Sequence, residues 1–218
     1  MQEQGSRQNA GLSGTAAFAM GCFWGPEALF GSLPGVLRTV TGYAGGTSPD
    51  PDYRRMGDHS ETVQLEYDPS VISYRELLDL FWSSHNPANI NGYKDRQYQS
   101  IVFWSGREQL EAIREKLSGL ALEGKPVPDT EIAEAAEFWV AEERHQKHAL
   151  KRFPDAVSKL DFLFPSRKEW EASTLAARLN GLAKGYTNRQ RILEEIDGWE
   201  LAEERKRLYA AALKGIRW

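Results

Sequence analysis

The chain has 218 residues, 27% of them charged and 41% hydrophobic, with a formal net charge of −4. That length holds one full core, or one domain with an appendage, and the composition is ordinary for a soluble globular protein. The negative balance argues against general nucleic-acid binding, and no apolar run approaches the about 18–20 residues that would span a bilayer, so neither nucleic acid nor membrane is expected as a partner.

Residues 1–14 (MQEQGSRQNAGLSG) are small and polar, lack an apolar h-region and read as a disordered tail, not a secretory signal. Thr15 to Met20 (TAAFAM) reads as a strand, followed by Gly21-Cys22-Phe23-Trp24-Gly25-Pro26-Glu27 and a helix-like stretch. Val36 to Gly42 and Glu61 to Tyr67 alternate as strands do, the second stopped by Asp68-Pro69. Ser73 to Ser83 carries Leu77, Leu78, Phe81 and Trp82 at helical spacing, with Ser73 and Glu76 placed for a capping box. Gln99 to Trp104 reads as a strand. Arg107 to Leu122 reads as an amphipathic helix, with Leu110, Ile113, Leu117 and Leu120 on one face. Short strands are expected at Thr130–Ala133 and Glu137–Val140, then a helix over Ala141–Phe153, ending before Pro154. From 156 to 218 the pattern is helical, chiefly over Ser166–Gly181 and Asn188–Lys214. Strands interleaved with helices in this order predict an α+β fold, a two-layer α/β sandwich with a mixed sheet, plus C-terminal helices. Its parts are the tail 1–14, a chemistry-bearing unit 15–155 and a helical extension 156–218.

Cys22 is the single cysteine. No intrachain disulfide can form, and a reducing, cytoplasmic setting is expected. A lone cysteine is often a small buried hydrophobe. Here it occupies a strand-to-helix turn, where free amide groups favour a thiolate and lower the thiol pKa, and its flanking glycines leave the sulfur accessible. The two aromatics that follow suggest a cage beside a nucleophile.

GCFWGPE is similar to the GCFWG-x-E signature of the A-type peptide methionine sulfoxide reductases. Further segments of that family are matched in the same order: GVLRTVTGYAGG (35–46), GDHSE (57–61), YDPSVISY (67–74), His85-Asn86-Pro87, Gln97-Tyr98 and AEERHQ (141–146). The resemblance covers about 15–155, and several ordered motifs are more specific than any one. It implies a ferredoxin-like catalytic domain with a largely antiparallel sheet, no cofactor and no metal. It also implies reduction of the S epimer of methionine sulfoxide, free or in proteins. Cys22 would then be the nucleophile and Glu61 the general acid, its pKa raised by partial burial. Phe23 and Trp24 would cage the methyl group on sulfur. Tyr43 and Tyr98 would donate hydrogen bonds to the sulfoxide oxygen. Cys22 would end as a sulfenic acid. Many relatives clear this with cysteines nearer the C-terminus. This chain has none, so an external thiol is implied: a thioredoxin, glutaredoxin with glutathione, or a small dithiol.

Three departures stand out, the first two bearing on substrate choice. The loop before Gln97 is about three residues short, so either Asp95 replaces a site aspartate of the family or that aspartate is lost, with Tyr93 near its place. Arg144 stands where the family has tyrosine. The C-terminal helices occupy the place of the recycling segment, either as a structural cap, the reading favoured here, or as a lid. Two rival functions remain: a cysteine hydrolase or acyl-transfer enzyme pairing Cys22 with His59 or His85, and an idle relative that binds sulfoxide without turnover.

Overall fold

The computed structural model describes residues 13–90, 92 and 95–218. Most of the expected tail (1–12) and Tyr93 lie outside them, and Gly14 already belongs to a strand. The elements run β1 (Gly14–Met20), α1 (Trp24–Gly31), β2 (Val36–Ala44), β3 (Ser60–Tyr67), α2 (Tyr74–Ser83), β4 (Ser100–Trp104), α3 (Arg107–Leu122), β5 (Glu131–Glu134) and β6 (Trp139–Val140). They continue as α4 (His148–Lys151), α5 (Pro154–Leu163), α6 (Arg167–Glu171), α7 (Thr174–Ala183), α8 (Arg189–Gly198) and α9 (Glu203–Gly215).

The described strands form one sheet in the order β5-β4-β1-β3-β2-β6. Only the β4–β5 pair is parallel. The inner four, β4-β1-β3-β2, are antiparallel, and α1 and α2 connect them in the βαββαβ order of a ferredoxin-like sandwich. One face is apolar at every second residue: Ala16, Phe18 and Met20 of β1 and Val63, Leu65 and Tyr67 of β3 pack with Phe30 of α1 and Leu77, Leu78 and Phe81 of α2. Phe18 stacks on both Phe30 and Phe81, with centroids 5.1 and 5.2 Å away. The Ser73–Glu76 capping box starts α2 as expected.

The antiparallel register sets the position of the chemistry. β1 is central, and its C-terminal end lies beside the N-terminal end of β3. Glu61 near the start of β3 pairs with Tyr43 near the end of β2, and Tyr43 pairs in turn with Trp139 of β6. Gly21, at φ +89°, turns the chain out of β1 in a conformation that residues with a Cβ rarely adopt. Cys22 follows it at the head of α1.

The C-terminal helices have their own apolar centre around Trp170, Leu160, Leu175, Leu179, Ile192, Ile196 and Leu213. They are also joined to the sheet unit through α7, which runs antiparallel to α1. Gly31 of α1 faces the Ala177 backbone, and Gly181 of α7 faces Ser32 and Ala28. A Cβ on Gly31 would meet the Ala177 carbonyl oxygen at 2.9 Å, so only glycine permits this approach. Buried Arg178 donates to the Gly31 and Val36 carbonyls, both at 2.8 Å, and pairs with Glu195 at 2.6 Å. Gly31→Ala is therefore expected to cost about 1–3 kcal/mol in urea unfolding. Gly119→Ala, in open space on α3, is expected to gain up to about 1 kcal/mol. Equal stability of the two variants would refute the close packing of α1 on α7.

Three helical expectations need correction. Ala141–Phe153 is not one helix. Glu143–His145 is a 3-10 turn, and Lys147 at φ 52° separates it from α4. Here the Gln146 side chain bonds the Thr41 N–H and carbonyl like an extra strand rung, at 3.0 and 2.9 Å, and Lys147 is drawn to Glu27. These contacts override helix propensity. Ser166–Gly181 divides into α6 and α7, because Ser173 starts a new helix by accepting the Ala176 N–H. Asn188–Lys214 divides into α8 and α9, folded together with Trp199 edge-on to Tyr209.

Candidate active site

Cys22 is partly exposed. Its neighbour Glu61 is 1% exposed. The Glu61 carboxylate accepts the Phe23 N–H at 3.0 Å and the Gln97 amide at 2.7 Å, and it lies close enough to Cys22 for each group to act on the other's titration. Burial raises the Glu61 pKa, and Gln97, Phe23 and Cys22 oppose the shift without cancelling it. The Cys22 thiol is also raised, first by burial and further by Glu61, although the Trp24 N–H and the Lys184 charge favour the thiolate. This corrects the expectation of a lowered thiol pKa. The head of α1 does offer amides, but the Phe23 N–H goes to Glu61, and the carboxylate beside the sulfur disfavours a second negative charge. The resting arrangement thus sets a thiol beside a buried carboxyl, each held above its ordinary pKa.

The aromatic wall is larger than the sequence suggested. Phe23 is buried against Tyr43 and His145, with centroids 6.0 and 5.3 Å away. The Trp24 indole lies flat on His148 at 3.7 Å and donates its N–H to Nδ1 of His145 at 3.3 Å. Tyr53 closes on His145 at 4.7 Å, and the Arg144 guanidinium lies over the Tyr53 ring at 5.6 Å. Met56, Ala141 and Trp139 complete the apolar lining. The loop that carries Tyr53 and Met56 is closed by Asp58, whose carboxylate accepts hydrogen bonds from Thr47 and Ser48 at 2.8–3.0 Å. An open depression of about 530 Å³ adjoins this wall, lined by Asp52, Arg54, Glu142, Glu143 and Arg144.

Tyr43 and Tyr98 both reach the site, in different states. The Tyr43 hydroxyl donates its one hydrogen to Glu142 at 2.7 Å, so in this state it has none to offer a substrate oxygen, contrary to expectation. The Tyr98 hydroxyl accepts from Gln97 at 3.0 Å and bonds Tyr53. Burial and the nearby Glu61 keep both phenols neutral well beyond the ordinary range. Asp95 is not brought to the site. It precedes a 3-10 turn (Arg96–Tyr98), is exposed, and makes no side-chain hydrogen bond among the described residues. The shortened loop instead presents Gln97 to Glu61.

Residues 14–173 match the family model described as peptide methionine sulfoxide reductase. A Drosophila melanogaster protein named peptide methionine sulfoxide reductase is 45% identical over 172 residues, 78% of this chain and 68% of that protein. The chain belongs to the peptide methionine sulfoxide reductase family. The A5 protein of that name from Oryza sativa subsp. japonica is 40% identical over 207 residues, 87% of this chain and 79% of its own. A stretch that long necessarily takes in α7. Among solved structures, Mxr1 from Saccharomyces cerevisiae in reduced form aligns with a TM-score of 0.59 at 28% identity, over 69% of this chain and 91% of that one. Methionine sulfoxide reductase A of Corynebacterium diphtheriae aligns at 0.55 and 32%, over 67% and 77%.

Family membership and geometry together remove the hydrolase reading. His59 is occupied by the Gly46 N–H at 3.2 Å and the Ser48 carbonyl at 2.8 Å. His85 is occupied by the Phe81 carbonyl and the Ser100 hydroxyl. Both histidines support loops, and neither contacts Cys22. Sequence reasoning missed Gln97, Tyr53, Glu142, His145 and His148 as parts of the site. The AEERHQ motif was the available signal for two of them, Glu142 and His145. Among the described residues, no helix is long and apolar enough to cross a membrane.

Proposed function

We propose that this chain reduces the S epimer of methionine sulfoxide, in proteins or free, through Cys22 and Glu61. Thiol-dependent reduction of methionine sulfoxide is the chemistry of its family; the roles of single residues and the choice of epimer are our reading. Glu61 takes the Cys22 proton as the thiolate forms. The thiolate attacks the sulfoxide sulfur, and Glu61 passes that proton to the departing oxygen. The sulfur–oxygen bond breaks with the oxygen leaving as water; water then attacks the Cys22 sulfur, the bond between the two sulfurs breaks, methionine leaves with its electron pair, a proton is released, and Cys22 becomes a sulfenic acid. An external thiol then forms a mixed disulfide and releases water, and a second thiol restores Cys22. Phe23, Trp24 and His145 supply an apolar wall for the methyl group. Tyr98 and Tyr43 would steady the oxygen on turning their hydroxyls away from Tyr53 and Glu142. Residues 15–155 carry this chemistry, and 156–218 brace it. A reducing, cytoplasmic compartment suits a lone thiol.

The observation that carries this reading is the buried Glu61 carboxyl held by the amide of Phe23, the residue next to the partly exposed Cys22. Incubation of the protein with the separated S and R epimers of a methionine sulfoxide peptide, with dithiothreitol, should give methionine from the S epimer alone. No turnover of the S epimer by protein whose Cys22 still alkylates would overturn it.

A further inference from the structure

The antiparallel packing of α1 on α7 has a result at the mouth of the site. Ala177 faces Gly31, Gly181 faces Ser32 and Ala28, and α7 ends at Lys184, whose charge reaches Cys22 at the head of α1. Arg152 ends α4, the helix that begins with the His148 stacked on Trp24. Both side chains are exposed, and neither forms an ion pair among the described residues. The charge of Lys184 reaches both Cys22 and His148, and that of Arg152 reaches His148. The other nearby cations are engaged: Lys147 is buried against Glu27, and Lys151 pairs with Glu171. A chain of net charge −4 thus keeps two unpaired cations around the His148 that stacks on Trp24, one of them within electrostatic reach of Cys22. Cations at helix C-termini also steady their helices. That alone does not explain why both helices end on the Trp24–His148 side of the site.

We propose that Lys184 and Arg152 form a cationic rim that recruits an anionic small-molecule thiol, a cysteinyl peptide with free carboxylates, to reduce oxidised Cys22. This rests on the reading that Cys22 cycles through a sulfenic acid. The thiol sulfur bonds to Cys22 with loss of water, and a second equivalent of the same thiol takes the first as its disulfide, returning Cys22 to the thiol. The rim acts on encounter, where opposite charge raises the association rate and added salt lowers it.

The test needs no sulfoxide turnover, so it can fail independently of the proposed function. Cys22 is converted to its mixed disulfide with thionitrobenzoate, and release of the chromophore is timed with glutathione or with N-acetylcysteine amide, a neutral thiol. In the wild type, the glutathione rate should fall as salt rises from 20 to 300 mM, and the amide rate should not. Lys184→Glu with Arg152→Glu should lower the glutathione-to-amide rate ratio by about 5- to 10-fold. The milder Lys184→Gln with Arg152→Gln should lower it about 2- to 4-fold and serves if charge reversal disturbs folding. A ratio unmoved in both variants, or a loss seen only with a thioredoxin-like protein as reductant, overturns the proposal.

Discussion

Glu61→Gln should slow formation of the Cys22 sulfenic acid by roughly 10²- to 10⁴-fold, the range of a lost general acid–base group, while leaving substrate binding nearly unchanged. Glutamine keeps the shape and can still accept the Phe23 N–H. What it lacks is the proton. In the wild type, both groups of the pair titrate above their ordinary values. Below the apparent pKa of the Glu61 step, the carboxyl is already protonated and cannot take the Cys22 proton. Above that of the Cys22 step, no proton remains for the sulfoxide oxygen. The single-turnover rate should therefore trace a bell against pH, with limbs belonging to the coupled pair. In Glu61→Gln the alkaline limb should vanish, and the small residual rate should rise with pH as thiolate forms. Trapping the sulfenic acid with dimedone in a single-turnover series measures both effects. A variant rate within threefold of wild type near neutral pH would remove Glu61 from the proton path.

Lys147→Met should destabilise the fold by about 3–5 kcal/mol, the cost of stranding a buried carboxylate. Glu27 and Lys147 are 0% and 1% exposed and meet at 2.7 Å. Glu27 also accepts the Lys147 backbone N–H at 2.8 Å and the Asn180 amide at 3.3 Å. Lys147 donates to the Thr39 carbonyl at 2.7 Å, and Asn180 accepts the Leu150 N–H at 3.0 Å. Removing the ammonium leaves Glu27 charged in a dry interior. Removing both charges does not, so Glu27→Leu combined with Lys147→Met should recover much of the loss. Urea unfolding of the single and double variants measures the difference. A single variant within 1 kcal/mol of wild type would show that the pair is not buried in solution.

The inner strands, α2 with its capping box, α3 and the turn at Cys22 were legible because each is set by neighbours in sequence: alternation, helical spacing, a serine three residues before a glutamate. Glu61 and Tyr98 were placed near Cys22 only through family resemblance, since no local pattern reports which strands lie side by side. What could not be read depends on partners about 100 residues or more away. The Tyr43 hydroxyl is claimed by Glu142, the helix expected at 141–153 is broken by Thr41 and Glu27, and α7 docks on α1 through glycines whose spacing looks unremarkable. The raised thiol pKa escaped for a related reason. The helix amide that would have favoured the thiolate was assigned without knowing that a carboxylate would arrive to share it.

The node of Glu27, Lys147 and Asn180 joins three segments that leave the ribosome far apart in time. The turn bearing Cys22 is made early, yet the Asn180 amide that completes the node at Glu27 follows it by about 150 residues. Until α7 emerges, Glu27 lacks one of its buried partners, so a chain arrested before that point should hold the head of α1, and Cys22 with it, less firmly than the folded protein does.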